Sequence, residues 1–204
     1  MRLCMFTPTE LALERGWPGR IDGDWVVQLA AQTLEAFFSG GGKAREHNVY
    51  PIADIALRSP VLRPPSIRVF ENEEVFAFAN TASIYGPEDE VPAPAPAGAR
   101  FCVAAVIGAD ESIGGYTLVN DWHAPSLAAP KDADFAISVG PWIATDHEPE
   151  FDFEASKEIA ARNTRLRAGD LLVAPPFATA VGEATVAGLG TLRALTSSEA
   201  SPAS

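Results

Sequence analysis

Three histidines, two cysteines and one short acidic-aromatic string are the residues of this chain whose types and spacing could carry chemistry. His123 closes Asn120-Asp121-Trp122-His123 at the end of a run of β type. Carboxylates and imidazoles at such strand ends converge on pockets. The alternative is that Asp121 only caps the following turn. His47 lies in a polar stretch and His147 between Asp146 and Glu148, so both read as solvated. Cys4 and Cys102 stand far apart and form no CxxC, which suggests neither a disulfide framework nor a structural zinc site. Cys102 sits in an apolar run and reads as a small core residue. The phosphate-cradling and nucleophile-elbow patterns GxxxxGK[ST], GxGxxG and GxSxG are absent. Gly40-Gly41-Gly42 follows an apparent helix, which fits a C-cap better than an anion cradle. The acidic clusters Glu88-Asp89-Glu90 and 146–154 lack EF-hand spacing and read as solvated surface.

The elements that must position these residues are short. Sixteen glycines and 17 prolines cluster between apolar runs, the mark of a β-rich α+β chain rather than a helical bundle. Met1 to Phe6 reads as a strand. Val26, Ala30, Leu34, Phe37 and Phe38 recur at helical spacing, with Asp24 as N-cap, and predict a helix ending at the glycine triplet. Ile52 to Leu57 precedes Pro60, Pro64 and Pro65 and reads as an irregular crossing. Val75 to Asn80 is a strand candidate, and the alternating prolines of 91–98 favour a stiff extended connector. Beyond residue 100, strands are expected at 101–108, 115–120, 135–139, 171–174 and 185–187, with one helix near 154–163 that turns Ile159 and Ala160 inward. A junction within 58–66 divides the chain into a small N-terminal α/β domain (1–60) and a β-rich domain (61–196), followed by a disordered tail (197–204).

Composition narrows the partners. Fifteen Lys and Arg against 27 Asp and Glu give a net charge of −12, which disfavours nucleic acid and anionic lipid surfaces. No apolar run approaches the ~20 residues of a membrane helix, and Met1 to Phe6 is too short for a signal-peptide core. A soluble protein of the reducing cytoplasm is the expectation.

One ordered set of motifs goes further. Val49-Tyr50-Pro51-Ile52-Ala53-Asp54, Pro64-Pro65-Ser66-Ile67-Arg68 and Asn80-Thr81-Ala82-Ser83-Ile84-Tyr85-Gly86-Pro87 are followed by a strand ending Val106-Ile107-Gly108. Then come Gly115-Tyr116-Thr117-Leu118-Val119-Asn120-Asp121, Gly140-Pro141-Trp142-Ile143, Arg167-Ala168-Gly169-Asp170 and Gly188-Leu189-Gly190-Thr191-Leu192. This series, spread over most of residues 49–195, resembles the fumarylacetoacetate hydrolase family. The resemblance implies a mixed β-roll after a small N-terminal domain, usually dimeric. It also implies a pocket in which carboxylates hold Mg²⁺, Mn²⁺ or Ca²⁺, and the ion chelates a 2-oxo or β-diketo acid.

The resemblance is of a divergent, shortened member. The family's Glu-x-Glu reads Arg100-Phe101-Cys102, so Asp121 alone remains of the metal carboxylates, and no metal is expected unless that alignment is wrong. Glu74 matches the catalytic glutamate, but the histidine position is Phe76. The family lysine falls at Ala133, with Lys131 nearby, its TGT reads Ala174-Pro175-Pro176, and its NG-containing hairpin is lost. The resemblance thus implies an enzyme without a divalent ion, acting as isomerase, cyclase, decarboxylase or C–C hydrolase on a small acidic, enolisable substrate. Arg100 would replace the cation, Asp121 and His123 would handle protons, and Tyr116, Lys131, Glu74 and Cys102 would orient substrate. Two alternatives stand beside it: a non-catalytic binding protein or scaffold subunit, and an ordinary Mg- or Mn-dependent hydrolase.

Overall fold

A computed structural model describes residues 1–11, 13, 15–179 and 182–197. Its strands are β1 (Arg2–Pro8), β2 (Trp17–Asp22), β3 (Trp25–Leu29), β4 (Glu46–Pro51), β5 (Ile55–Arg58), β6 (Ile67–Phe70) and β7 (Phe76–Phe78). They continue with β8 (Ile84–Tyr85), β9 (Phe101–Ile107), β10 (Ile113–Asp121), β11 (Ile137–Ala144), β12 (Leu171–Val173), β13 (Glu183–Val186) and β14 (Gly190–Arg193). Two α-helices accompany them, α1 (Leu34–Ser39) and α2 (Phe153–Ala161). Twelve strands form one sheet in the order β4-β3-β2-β1-β11-β10-β9-β12-β6-β7, with β5 added on β1 and β8 on β11. The pairs β6–β12 and β8–β11 are parallel and the others antiparallel, so the sheet is mixed and the fold is β-rich α+β. β1 pairs with β2, β5 and β11, which joins the N-terminal strands to those beyond residue 100.

The central strands are apolar on both faces because both are covered. One face packs Leu3, Met5, Cys102, Ala104, Val106 and Val119 against α1 through Leu34, Phe37 and Phe38. On the other, Ala105, Ile107 and Leu172 meet Phe153 and Ala160 of α2. Phe101 and Leu118 are covered there by Leu189 and Leu192 at the β13–β14 hairpin. Strand alternation therefore sends Arg100, Cys102 and Ala104 to one side and Phe101, Val103 and Ala105 to the other. The register Val119↔Cys102 brings Asp121 opposite Arg100, closed by Asp121 N–H donating to the Arg100 carbonyl at 2.9 Å.

Two sequence expectations need correction. The helix predicted from Val26 is confined to Leu34–Ser39, with Thr33 rather than Asp24 as its cap, since Thr33 Oγ1 accepts from Ala36 N at 3.1 Å. Val26 and Val27 are β-branched and fit a pleated surface. They pair with β2 across a turn whose Gly23 takes a positive φ of 57°, so a hairpin outcompetes the helix. The crossing at 52–57 is a short 3₁₀ turn followed by the paired strand β5, because the prolines lie outside β5 and leave its donors free. In α2, Asp152 caps Ala155, and Phe153, Ser156 and Ala160 form the buried face, with Ile159 half-buried beside it. Of the tail expected to be disordered, residues 198–204 lie outside the described residues.

A buried polar knot ties β6 to β12. Ser66 Oγ donates to Asp170 Oδ1 at 2.6 Å and Arg167 N–H to Oδ2 at 2.7 Å. Arg68 Nη1 donates to Ser66 Oγ and stands 3.7 Å from Asp170 Oδ2, both side chains being almost wholly enclosed. The guanidinium also lies over the rings of Phe76 and Phe78.

Candidate functional site

At the end of β9 and β10, on the Arg100 face, lies a cleft of about 490 Å³. Arg100 and Asp121 line it from the sheet, Glu71 and Phe78 from the β6–β7 side, and Asp132 and Asp134 from the loop after β10, with Pro175 and Pro176 as a rigid wall. Arg100 Nη2 donates to Asp121 Oδ2 at 2.6 Å, and Nε to the Asp121 carbonyl at 3.4 Å. The Asp121 side chain is 6% exposed and that of Arg100 34%, so the carboxylate is enclosed while the guanidinium faces the cleft. Burial raises the Asp121 carboxyl above the usual aspartate range despite the opposing pull of Arg100. Asn120 supports the pair from behind, its Oδ1 accepting from Arg100 N at 3.0 Å.

Sequence candidates fall at different depths around this pair. The His123 backbone is clamped to Gly98 by N–H···O bonds of 3.0 and 2.7 Å, and its Nδ1 is 3.7 Å from Asp132 Oδ2. That nitrogen is buried and has no hydrogen-bond partner among the described residues, and His123 backs Asp132 rather than lining the cleft. Lys131 reaches Asp134 at 2.8 Å from an exposed position outside the lining. Cys102 is buried, its Sγ donates weakly to the Arg100 carbonyl at 3.6 Å, and burial pushes the thiol far above its ordinary range. It is packed core without an exposed sulfur for substrate.

Glu74 is exposed on the β6–β7 turn, where Asn72 Oδ1 accepts from its N–H at 2.9 Å, and Glu71 takes the cleft position instead. Tyr116 belongs to the opposite sheet face, packed against His147 and Phe153 at 5.8 and 5.5 Å. Its hydroxyl is also held above its ordinary pKa, by burial and then by Glu154.

Sequence reasoning missed Asp132, Asp134, Glu71 and Phe78. The two aspartates return to the strand end only because the loop closes on itself, with Ala124 N–H donating to the Asp132 carbonyl at 2.7 Å. Asn80 pins the other bank, donating to Ser83 Oγ and to the Asp134 carbonyl at 2.9 Å each. No local pattern encodes either closure. Asn72 Oδ1 accepts from both Glu74 N–H and Val75 N–H, an Asx turn that holds Glu74 at the exposed tip, and Asn72 is the sequence signal that was passed over.

At the positions where the family resemblance implies metal ligands, the donors do not fit a divalent ion. Hard cations take six or more oxygen ligands, whereas the Arg100-x-Cys102 and Asp121 positions offer one carboxylate hydrogen-bonded to a guanidinium and a buried thiol. Among the described residues no cluster of three His, Cys, Asp or Glu side chains has metal-binding geometry.

No family model and no curated protein matches this sequence. Solved structures do. Maleylpyruvate hydrolase from Sphingobium sp. SYK-6, in complex with manganese(II) and pyruvate, superposes with a TM-score of 0.77 at 17% identity over 97% of this chain and 99% of its own. The 5-carboxymethyl-2-hydroxymuconate delta-isomerase from Mycobacterium smegmatis gives 0.75 at 19% identity over 98% of this chain and all of its own. A 2-keto-3-deoxy-D-arabinonate dehydratase complexed with magnesium and 2,5-dioxopentanoate gives 0.75 at 15% over 98% and 99%. The chain has the fumarylacetoacetate hydrolase fold. In this chain the N-terminal strands and those beyond residue 100 share one mixed sheet, and the Arg100 cleft lies where β9 begins and β10 ends. Among the described residues no helix is long and apolar enough to cross a membrane.

Proposed function

We propose that the Arg100 cleft catalyses proton transfer on a small enolisable 2-oxo or β-diketo acid, with a fixed guanidinium in place of a divalent ion. The observation that carries this reading is the Arg100–Asp121 pair at 2.6 Å, enclosed on the Asp121 side and open to the cleft on the Arg100 side. Fold neighbours named as a hydrolase, an isomerase and a dehydratase of keto acids support the substrate class. Nε and Nη2 of Arg100 face Asp121, so Nη1 is the edge available to a substrate carboxylate or carbonyl oxygen. The proton leaves the carbon α to the carbonyl for the Asp121 carboxylate. The electron pair of that C–H bond moves onto the carbonyl oxygen as an enolate beside the guanidinium. Return of the same proton restores the substrate, delivery of a solvent-derived proton after Asp121 has exchanged with water labels that carbon, and delivery to a conjugated carbon isomerises the substrate, with no water consumed. The raised Asp121 pKa brings the conjugate acid closer to working pH, as acid–base exchange requires. His123, with Nδ1 3.7 Å from Asp132 Oδ2, backs Asp132 as a positioning residue behind the cleft.

A second reading, a non-catalytic binding protein or scaffold subunit, is favoured by the same ion pair, because a carboxylate already satisfied by its guanidinium needs no ligand. Deuterium incorporation into 2-oxo acids in D₂O, starting with pyruvate and with EDTA present, separates the two. The enzyme reading expects exchange that Asp121→Asn and Arg100→Ala each abolish in folded protein. Saturable binding without exchange supports the second reading, and exchange that appears only with added Mn²⁺ returns the ordinary metal-dependent enzyme.

A further inference from the structure

A second cleft, of about 530 Å³, opens on the opposite face of the sheet. Val103 belongs to its lining and faces away from Cys102, so the two clefts are separated by β9 and share only the wall Pro175-Pro176. Phe151 is part of a chain of rings, Phe70–Phe151 at 6.2 Å, Phe151–Phe153 at 5.0 Å, Phe153–Tyr116 at 5.5 Å and Tyr116–His147 at 5.8 Å. Phe177 also lines the cleft and is 49% exposed, an apolar side chain left partly in water. Glu148 and Glu150 add two exposed carboxylates, and among the described residues neither has a salt-bridge partner. Among the described residues no lysine or arginine lines the cleft.

These features select by charge and polarity together. The carboxylates repel an anion, the walls of Val103, Phe151, Pro175 and Phe177 are apolar, and among the described residues His147, Glu148 and Glu150 do not come together as a group able to hold a metal ion. An ammonium group on an apolar body satisfies both, since aromatic faces attract organic cations and the carboxylates supply the counter-charge. We propose that this cleft is a binding site for a small organic cation, an amine or quaternary ammonium compound. The inference is independent of the proton-transfer reading, because it uses no residue assigned to that chemistry.

Choline and its neutral isostere 3,3-dimethylbutan-1-ol test it by amide NMR on ¹⁵N-labelled full-length protein. Choline is expected to shift the amides of Val103, His147, Phe151 and Phe177 saturably, and the isostere to bind about tenfold more weakly. Phe177→Ala and the pair Glu148→Gln with Glu150→Gln should each weaken choline about threefold to tenfold without changing the melting temperature, because these side chains are exposed. Equal affinity for the isostere, saturable shifts centred on Arg100 and Asp134 instead, or no saturable shift with either probe would overturn the proposal. Unchanged choline affinity in both variants would do the same.

Discussion

At Asp121, burial and charge oppose each other, and the partner decides which form survives. The carboxylate has lost nearly all its water, its charge is compensated by Arg100 at 2.6 Å, and the balance still leaves its pKa raised. Arg100→Ala removes that cation and leaves a buried acid with nothing opposite it, a change that costs about 3 kcal/mol where the charge is retained. Protonation of Asp121 offsets part of this, so the deficit should grow with pH; denaturant unfolding of the variant at several pH values checks both magnitude and trend. In the wild type the raised pKa means that the folded state binds a proton more tightly than the unfolded chain. Asp121 therefore contributes stability that is complete below about pH 3.9 and is lost as pH rises through the raised value. Asp121→Asn removes the titration, and the stability difference between the two proteins should flatten above that window. The motif Asn120-Asp121-Trp122-His123 was legible at a strand end, and Arg100 was placed beside Asp121 only by the family resemblance; the structure pairs Arg100 with Asp121 and sets His123 behind Asp132. Asp132 and Asp134 were illegible because a loop closure of main-chain bonds delivers them.

Among the elements, β6 and β12 depend on a polar knot rather than on apolar contact alone. Arg68 and Asp170 are 5% and 3% exposed, and Arg68 also covers Phe76 and Phe78. Arg68→Ala is expected to destabilise the fold by about 3–5 kcal/mol by leaving Asp170 buried with a weaker set of partners, measurable as a shift in the urea midpoint. Gly169, in the turn that presents Asp170, has φ +91°, and a Cβ there would meet Glu35 Cγ at 2.6 Å. Gly169→Ala should accordingly cost more than the ~1 kcal/mol of a merely unfavourable φ, and the same unfolding assay reads it. Strands with dense apolar runs, such as β9 and β10, were legible from sequence because they are buried on both faces. The stretch at Val26 was not: its apolar positions satisfy a helical period, and only the Gly23 turn and the partner strands β2 and β4 settle it as a strand. Periodicity reports which face is buried, while pairing depends on residues far along the chain.

Across the whole molecule, a net charge of −12 surrounds a cleft whose own lining carries one guanidinium against four carboxylates. Asp121 pairs with Arg100 and Asp134 with Lys131, which leaves Asp132 and Glu71 as the lining acids without a lysine or arginine within salt-bridge distance among the described residues. A 2-oxo acid anion approaches against the long-range field and is held only at short range by Arg100. Raising ionic strength from about 20 to about 200 mM should therefore lower the apparent KM for such a substrate about twofold, because screening acts on the distant charges more than on an enclosed contact. A rise in KM would mean that steering by a cationic surface dominates. Binding of a divalent ion distinguishes the accounts of the cleft more directly than any rate. Calorimetric titration of the EDTA-treated protein with Mn²⁺, alongside the Arg100→Glu, Cys102→Glu double variant, is predicted to give no binding heat in the wild type and binding in the variant, where three carboxylates face one another. Stoichiometric Mn²⁺ binding by the wild type would contradict the claim that Arg100 stands in the ion's place.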